Sequence, residues 1–158
     1  MTGTLKEESS VEKGEARRMM SGLEYMQKLM AGEMPQSGMS HLMGFKLVEV
    51  SKGHAVFSIK ADERHYNGLG IAHGGLAATL LDSAMGCAIN TMMTPGRIFT
   101  TLEMKINYVR PIRSETGEVR CEAKVIHTGG RVATAEGRIV DTDGKLYAHG
   151  TATCMLFR

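Results

Sequence analysis

The chain is short of the residues that mark secreted, nucleic-acid-binding or membrane-embedded proteins. Cysteine is scarce: Cys87, Cys121 and Cys154 lie far apart and are odd in number. They form no C-x-x-C pair and no metal-ligand spacing, which excludes a disulfide framework and fits a reducing compartment. None of the six histidines pairs with a second at zinc spacing, so no metal is expected. Charge of one sign is scarce as well. Nineteen Lys and Arg face 17 Asp and Glu, and a net +2 is too little basic excess to argue for nucleic acid. The N-terminus, MTGTLKEESSVEKGEARR, has charges where a signal peptide needs an apolar core. No export is expected, and the location implied is the cytoplasm. The longest apolar segment, His73 to Met93, includes Asp82, Asn90 and three glycines, which argues against a bilayer span.

What remains is an ordinary globular composition. Of 158 residues, 42% are apolar and 23% charged. A single domain of this size buries roughly 70% of its unfolded surface and folds without staples. Methionine is the excess: 13 residues, eight of them within the first 43.

Residues 1–14 are polar and aperiodic, which predicts a disordered tail. Over 15–33, Met19, Leu23, Met26 and Met30 form a helical stripe that Gly32 and Pro35 end. Such a short, Met-rich amphipathic helix packs adaptably on something larger. The main domain, 34–158, then opens in strand period. Phe45 to Val50 and Ala55 to Lys60 flank the turn Ser51-Lys52-Gly53. A loop over 62–72 leads into a long helix, His73 to Met93, apolar almost all round and therefore central. Four more runs of period two follow, around 102–108, 118–125, 133–139 and 146–154, with turns at Gly129-Gly130 and Asp143-Gly144. The pattern predicts an α+β fold: two strands, a buried helix, then a four-strand meander. About six antiparallel strands would wrap one long central helix, with an extra helix at the N-terminus. The small residues Ala133, Ala135, Gly137, Ala148, Gly150 and Ala152 would let helix and sheet approach closely.

Asp82 is out of place on that helix. A buried carboxylate without partners costs several kcal/mol. With Gly75, Thr79, Gly86 and Asn90 it makes one small or polar stripe, so it is expected to face a narrow channel. It either does chemistry there or simply bonds backbone or a threonine. At the helix start, His73-Gly74-Gly75 offers unobstructed N–H groups with positive partial charge, which can hold a substrate oxygen. A glycine-rich entry for close packing is the plainer reading. Asn67 can donate a second hydrogen bond to that oxygen, or serve only a type I′ turn at Asn67-Gly68. Together the three describe acyl transfer: one carbonyl held by a backbone N–H and an amide, and a carboxylate two helical turns on.

The segment HYNGLGIAHGGLAATLLDSAMGCA resembles the N-x-x-G-x-x-H-G-G-x-x-x-x-x-x-D signature of hotdog-fold acyl-CoA thioesterases, those of the phenylacetate-degradation (PaaI) type above all. TTLEMKINYVRP and TGGRVATAEGRIVDTDGKLYAHGTAT fit the same pattern, and the resemblance spans about Met34 to Leu156. It implies Asp82 as general base or nucleophile, and the Gly74 N–H and Asn67 as donors to the thioester carbonyl. A serine or threonine early in the next strand positions water. Thr101 matches it, while strand alternation puts the adjacent Thr100 on the face of Leu102 and Met104. His65, His73 and Gly75 are implied as lining or orienting residues. Arg110, Arg113 and Arg131 are candidates for the phosphates of CoA, which enters as part of the substrate with no further cofactor. The fold further implies homodimers with sites at the interface, and a homotetramer of two dimers. Cys87 has no histidine partner and reads as a small buried hydrophobe. Two other functions stay open: a non-catalytic acyl-CoA-binding module, and a hydratase, whose placement of His and acid finds no match here. No helix-turn-helix precedes the domain.

Overall fold

The computed structural model describes residue 15 and residues 17–158. The expected tail, 1–14, lies outside the described residues. The alternating segments form six strands: β1 (Lys46–Ser51), β2 (His54–Lys60), β3 (Ile98–Tyr108), β4 (Glu118–Thr128), β5 (Val132–Asp141) and β6 (Leu146–Phe157). They make one antiparallel sheet in the order β1-β2-β4-β5-β6-β3. The four-strand meander is therefore corrected. β4, β5 and β6 are consecutive neighbours, but β4 inserts beside β2 and β3 lies beyond β6. Burial explains the exchange. Val119, Cys121 and Ala123 of β4 are at most 1% exposed and stand opposite Ile59, Phe57 and Ala55, a pairing that belongs mid-sheet. On β3, Leu102 is 53% and Tyr108 58% exposed, which suits an edge.

A long helix, numbered α3 below (Gly74–Asn90), lies in the concave face of the sheet. Leu76, Ala77, Leu80, Leu81, Ala84, Met85, Ala88 and Ile89 are buried against Phe57, Val119, Cys121, Ala135 and Ile139. Truncating Leu80 or Leu81 to alanine would cost about 2–5 kcal/mol each. The helix has 17 residues and stops at Asn90 rather than Met93. Thr91 caps it, and its hydroxyl bonds the Ala88 carbonyl at 2.6 Å. The small sheet residues divide into two roles. A Cβ on Gly137 would lie 3.0 Å from Leu81 Cδ2, so Gly137 does serve helix approach. A Cβ on Gly150 would meet the Lys105 carbonyl at 2.5 Å, so Gly150 makes room for the backbone of β3 instead.

The N-terminal stripe is two pieces, not one helix. Residues 17–19 are helical, the chain bends at Met20, and α1 (Gly22–Met30) starts afresh with Ser21 as its cap. The reason is contact with the end of α3. The Gly22 N–H donates to the Met93 carbonyl at 2.9 Å, and a Cβ on Gly22 would fall 1.6 Å from the Asn90 carbonyl oxygen. Met26 is 1% exposed, whereas Met19 leaves the stripe at 81%. A further short helix, α2 (Gly38–Met43), had no counterpart in the periodicity, although Ser37 caps it and Gly44 closes it at φ 79°.

Candidate active site

The loop before α3 is built on side-chain caps. Asp62 caps a single 3-10 turn, Glu63–His65, and accepts from the Arg64 N–H at 3.0 Å. The Arg64 guanidinium also bonds it, and holds its carboxyl down at about 2. His65 is buried. Its Nδ1 accepts from the Asp62 N–H at 3.0 Å and its Nε2 donates to the Met43 carbonyl at 2.9 Å, which fixes the orientation of the ring. Both ring nitrogens of His65 are therefore spent on backbone groups, one in this loop and one at the end of α2.

Asn67 comes next. Its Oδ1 accepts from the Leu69 N–H at 2.9 Å, and its own N–H donates to the Ile71 carbonyl at 2.8 Å. The turn is not type I′, because neither Asn67 nor Gly68 has positive φ; Gly70, at φ 70°, takes that conformation. With Oδ1 occupied, the amide NH₂ of Asn67 has no acceptor among the described residues. His73 caps α3, its Nδ1 accepting from the Gly75 N–H at 2.8 Å. That leaves the Gly74 N–H without an acceptor among the described residues, at the positive end of the helix. A Cβ on Gly74 would lie 3.3 Å from the Tyr108 ring, so glycine is what lets β3 close over the helix start. Asn67, His73, Gly74, Tyr108 and Arg110 line one cavity of about 410 Å³.

Asp82 is half-buried in the middle of α3, against the edge strand β3. Its Oδ1 accepts from Thr101 Oγ1 at 2.9 Å, and Cys154 Sγ lies 3.8 Å from the same hydroxyl. Strand alternation assigned Thr100 to the face of Met104, and a bulge overturns that. Thr101 pairs with Cys154 but Glu103 with Thr153, so Leu102 is the extra residue and Thr101 shares the inner face with Met104. Asp82 stands eight residues beyond Gly74, about 12 Å along the axis, and does not line the Asn67–Gly74 cavity. Within one chain, then, the carboxylate and the two donors are not brought together. Cys87, one turn beyond Ser83, has its thiol pushed up to about 12, chiefly by burial, with the Asp82 charge adding to it and Arg17 opposing.

The arginines separate. Arg110 bonds the Leu146 carbonyl at 2.6 Å and edges the Asn67–Gly74 cavity. Arg113 caps a 3-10 turn, Ser114–Thr116, with its N–H on Thr116 Oγ1 at 3.0 Å, and lines neither that cavity nor the next. Arg131 lines a second cleft, of about 810 Å³, at the start of β3 together with Arg97 and Arg158. No Asp or Glu lines this cleft, and none of the three arginines forms an ion pair with a side chain among the described residues. Sequence reasoning missed Arg97 and Arg158, since nothing in their spacing places them beside Arg131. Among the described residues no three His, Cys, Asp or Glu side chains are grouped to hold a metal, and no helix is long and apolar enough to cross a membrane.

A sheet wrapped on one helix in this way recurs in known proteins. The family model of the thioesterase superfamily matches residues 69–148. The chain belongs to the thioesterase superfamily. Its fold is the hotdog, and as a member it is a thioester hydrolase. This thioesterase is 33% identical over 110 residues to mouse acyl-coenzyme A thioesterase 13, covering 68% of the chain and 76% of that protein. Among solved structures, a conserved protein of Pseudomonas aeruginosa is 35% identical with a TM-score of 0.73, over 77% of this chain and 95% of that one. A mutant of the phenylacetic acid degradation protein PaaI from Thermus thermophilus is 29% identical with a TM-score of 0.68, over 75% and 98%.

Proposed function

We propose that the protein hydrolyses an acyl- or aryl-acyl-CoA thioester to the free acid and CoA. The observation that carries this reading is that the Gly74 N–H and the Asn67 amide, neither with an acceptor among the described residues, line one cavity. Two donors converge where a thioester carbonyl oxygen gains charge as its carbon is attacked. Asp82 acts on water, with Thr101 holding the carboxylate. The water oxygen bonds the carbonyl carbon as Asp82 takes its proton. The C–S bond then breaks and CoA leaves as thiolate, which recovers the proton. Direct attack by the carboxylate would give an anhydride that water opens, with the same products. Only water is consumed, and no cofactor enters.

The 12 Å between donors and carboxylate points to a site shared between two copies. β3 is a free edge of the sheet. It begins beside Thr101 and Asp82 and ends at Tyr108, packed on Gly74. Antiparallel pairing of β3 with β3 of a second copy sets the Asp82 end of each against the Asn67–Gly74 end of the other. A homodimer is the smallest active unit on this reading, and two dimers make a tetramer. The same pairing brings the Arg97–Arg131–Arg158 cleft beside Arg110 of the second copy, where the phosphates of CoA find guanidinium groups.

The test is CoA release, read with a thiol reagent over phenylacetyl-, benzoyl-, short, medium and long acyl-CoAs, with Asp82→Ala beside wild type. Turnover that collapses in the variant supports the reading. Undiminished release in Asp82→Asn would overturn the role of Asp82. Tight binding without turnover would make the protein a binding module.

A further inference from the structure

A third cavity, of about 450 Å³, lies beneath α1. Its walls are mainly apolar: Met26, Leu29 and Met30 from α1, Phe45 just before β1, Phe57 from β2 and Phe99 from β3, with Lys46 at the start of β1 as a second cation in addition to Arg17. It begins one residue from Asp82, at Ser83, and follows α3 through Cys87 to Asn90. From Asp82 to Asn90 is eight residues, about 12 Å along the helix. The far end is polar. Asn90 is only 5% exposed, and its Oδ1 accepts from Arg17 Nη2 at 3.4 Å. Its amide NH₂ has no acceptor among the described residues. Arg17 lies 5.3 Å from the centre of the Tyr25 ring, and no described carboxylate is within ion-pair distance of it.

An apolar slot that starts one residue past the reacting carboxylate, at Ser83, thus ends on two groups that can only donate. A plain alkyl chain filling the slot would shut water from the Asn90 amide and give it nothing in return, which is costly. A chain ending in an oxygen acceptor satisfies the amide and pairs with the guanidinium through charge-assisted bonds.

We infer that the slot is the acyl pocket and that its substrate class is the ω-carboxyacyl thioester, with Arg17 and Asn90 reading the distal carboxylate. This rests on the hydrolase reading with Asp82 as the reacting group. The Met-rich N-terminal segment is then part of the specificity apparatus: it supplies both the flexible wall and the cation at its end.

The experiment compares octanoyl-CoA with its ω-carboxy counterpart, suberyl-CoA, by kcat/KM. Wild type favours suberyl-CoA. Arg17→Met lowers the suberyl-to-octanoyl ratio about tenfold, the scale of one charge-assisted hydrogen bond. Arg17→Glu shifts preference towards 8-aminooctanoyl-CoA, a gain that misfolding cannot produce. A ratio in Arg17→Met within twofold of wild type overturns the inference. So does hydrolysis of other acyl-CoAs with none of suberyl-CoA, and that result leaves the hydrolase reading standing. No release from any thioester sinks both.

Discussion

Thr101 Oγ1 donates to Asp82 Oδ1 at 2.9 Å, joining the edge strand β3 to the middle of the central helix. Without the bulge at Leu102 the alternation would turn Thr101 outward and offer Thr100 to the core face. One irregular residue therefore decides which hydroxyl meets the carboxylate. β3 consequently touches both halves of the site: Thr101 near its start holds Asp82, and Tyr108 at its end packs on Gly74.

Removing the carboxylate isolates its chemistry from its packing. Asp82→Asn keeps the shape and an acceptor for Thr101 but loses the basic oxygen, and kcat is expected to fall by about two orders of magnitude or more. Thr101→Val leaves Asp82 without that donor and is expected to lower kcat about tenfold, while Thr101→Ser restores much of it. Thr100→Val is expected to change little. Steady-state rates alongside thermal melts check this, and a Thr100 effect as large as the Thr101 effect would contradict the bulge.

Asn67 carries a turn and a donor on one side chain, and two substitutions separate them. Asn67→Asp keeps an oxygen for the Leu69 N–H but replaces the NH₂ with an acceptor, and puts negative charge where the carbonyl oxygen develops its own. Activity is expected to fall about a hundredfold with the melting temperature nearly unchanged. Asn67→Ala loses both roles, so rate and stability fall together. Equal rates for Asn67→Asp and wild type would reduce Asn67 to a turn residue.

The fold was largely legible because its signals are local. Period two from Val119 to Ile139 and the all-round apolar helix from Leu76 to Ile89 each predict their own element. Strand order was not legible. Whether β4 pairs with β2 or β3 depends on which apolar faces end up deepest, a property of the assembled sheet. Asp82 and Gly74 stood out as a polar residue and a glycine in helical positions where propensity disfavours them, whereas Asn67, in a turn that suits asparagine, drew notice only through its spacing from His73-Gly74. His65 also stood out, but its two ring bonds reach Asp62 and, 22 residues away, Met43. Gly22 gave no sign at all, since its need to be glycine comes from a carbonyl on another helix.

Cys87 is half-buried on the apolar wall of the slot, and desolvation there sets the behaviour of its thiol. A thiol pushed up from 9.0 to about 12 stays overwhelmingly protonated at pH 8. Alkylation by iodoacetamide is expected to be slow at pH 8 in the native protein, to rise with pH, and to become rapid on unfolding. The linkage has a definite sign. The native state keeps its proton to higher pH than the unfolded chain, so this contribution to stability is full below pH 9 and is lost as pH rises towards 12. Peptide mass mapping between pH 7 and 10 reads the alkylation. Fast native labelling of Cys87 at pH 8 would mean that the thiol is open to water.

Mixing two inactive variants tests where the site is assembled. In a heterodimer of Asp82→Asn with Asn67→Asp, a site shared between copies distributes the lesions unequally. One site combines both substitutions. The other combines the intact Asp82 of the second variant with the intact Asn67 of the first. Unfolding and refolding an equimolar mixture yields about half heterodimers, each with one restored site in two. Activity is expected to return to about a quarter of wild type, far above either parent. If Asp82 and Asn67 of the same chain worked together, every site would carry one lesion and the mixture would stay as inactive as its components. The 12 Å between Gly74 and Asp82 along α3 leads us to expect the first outcome.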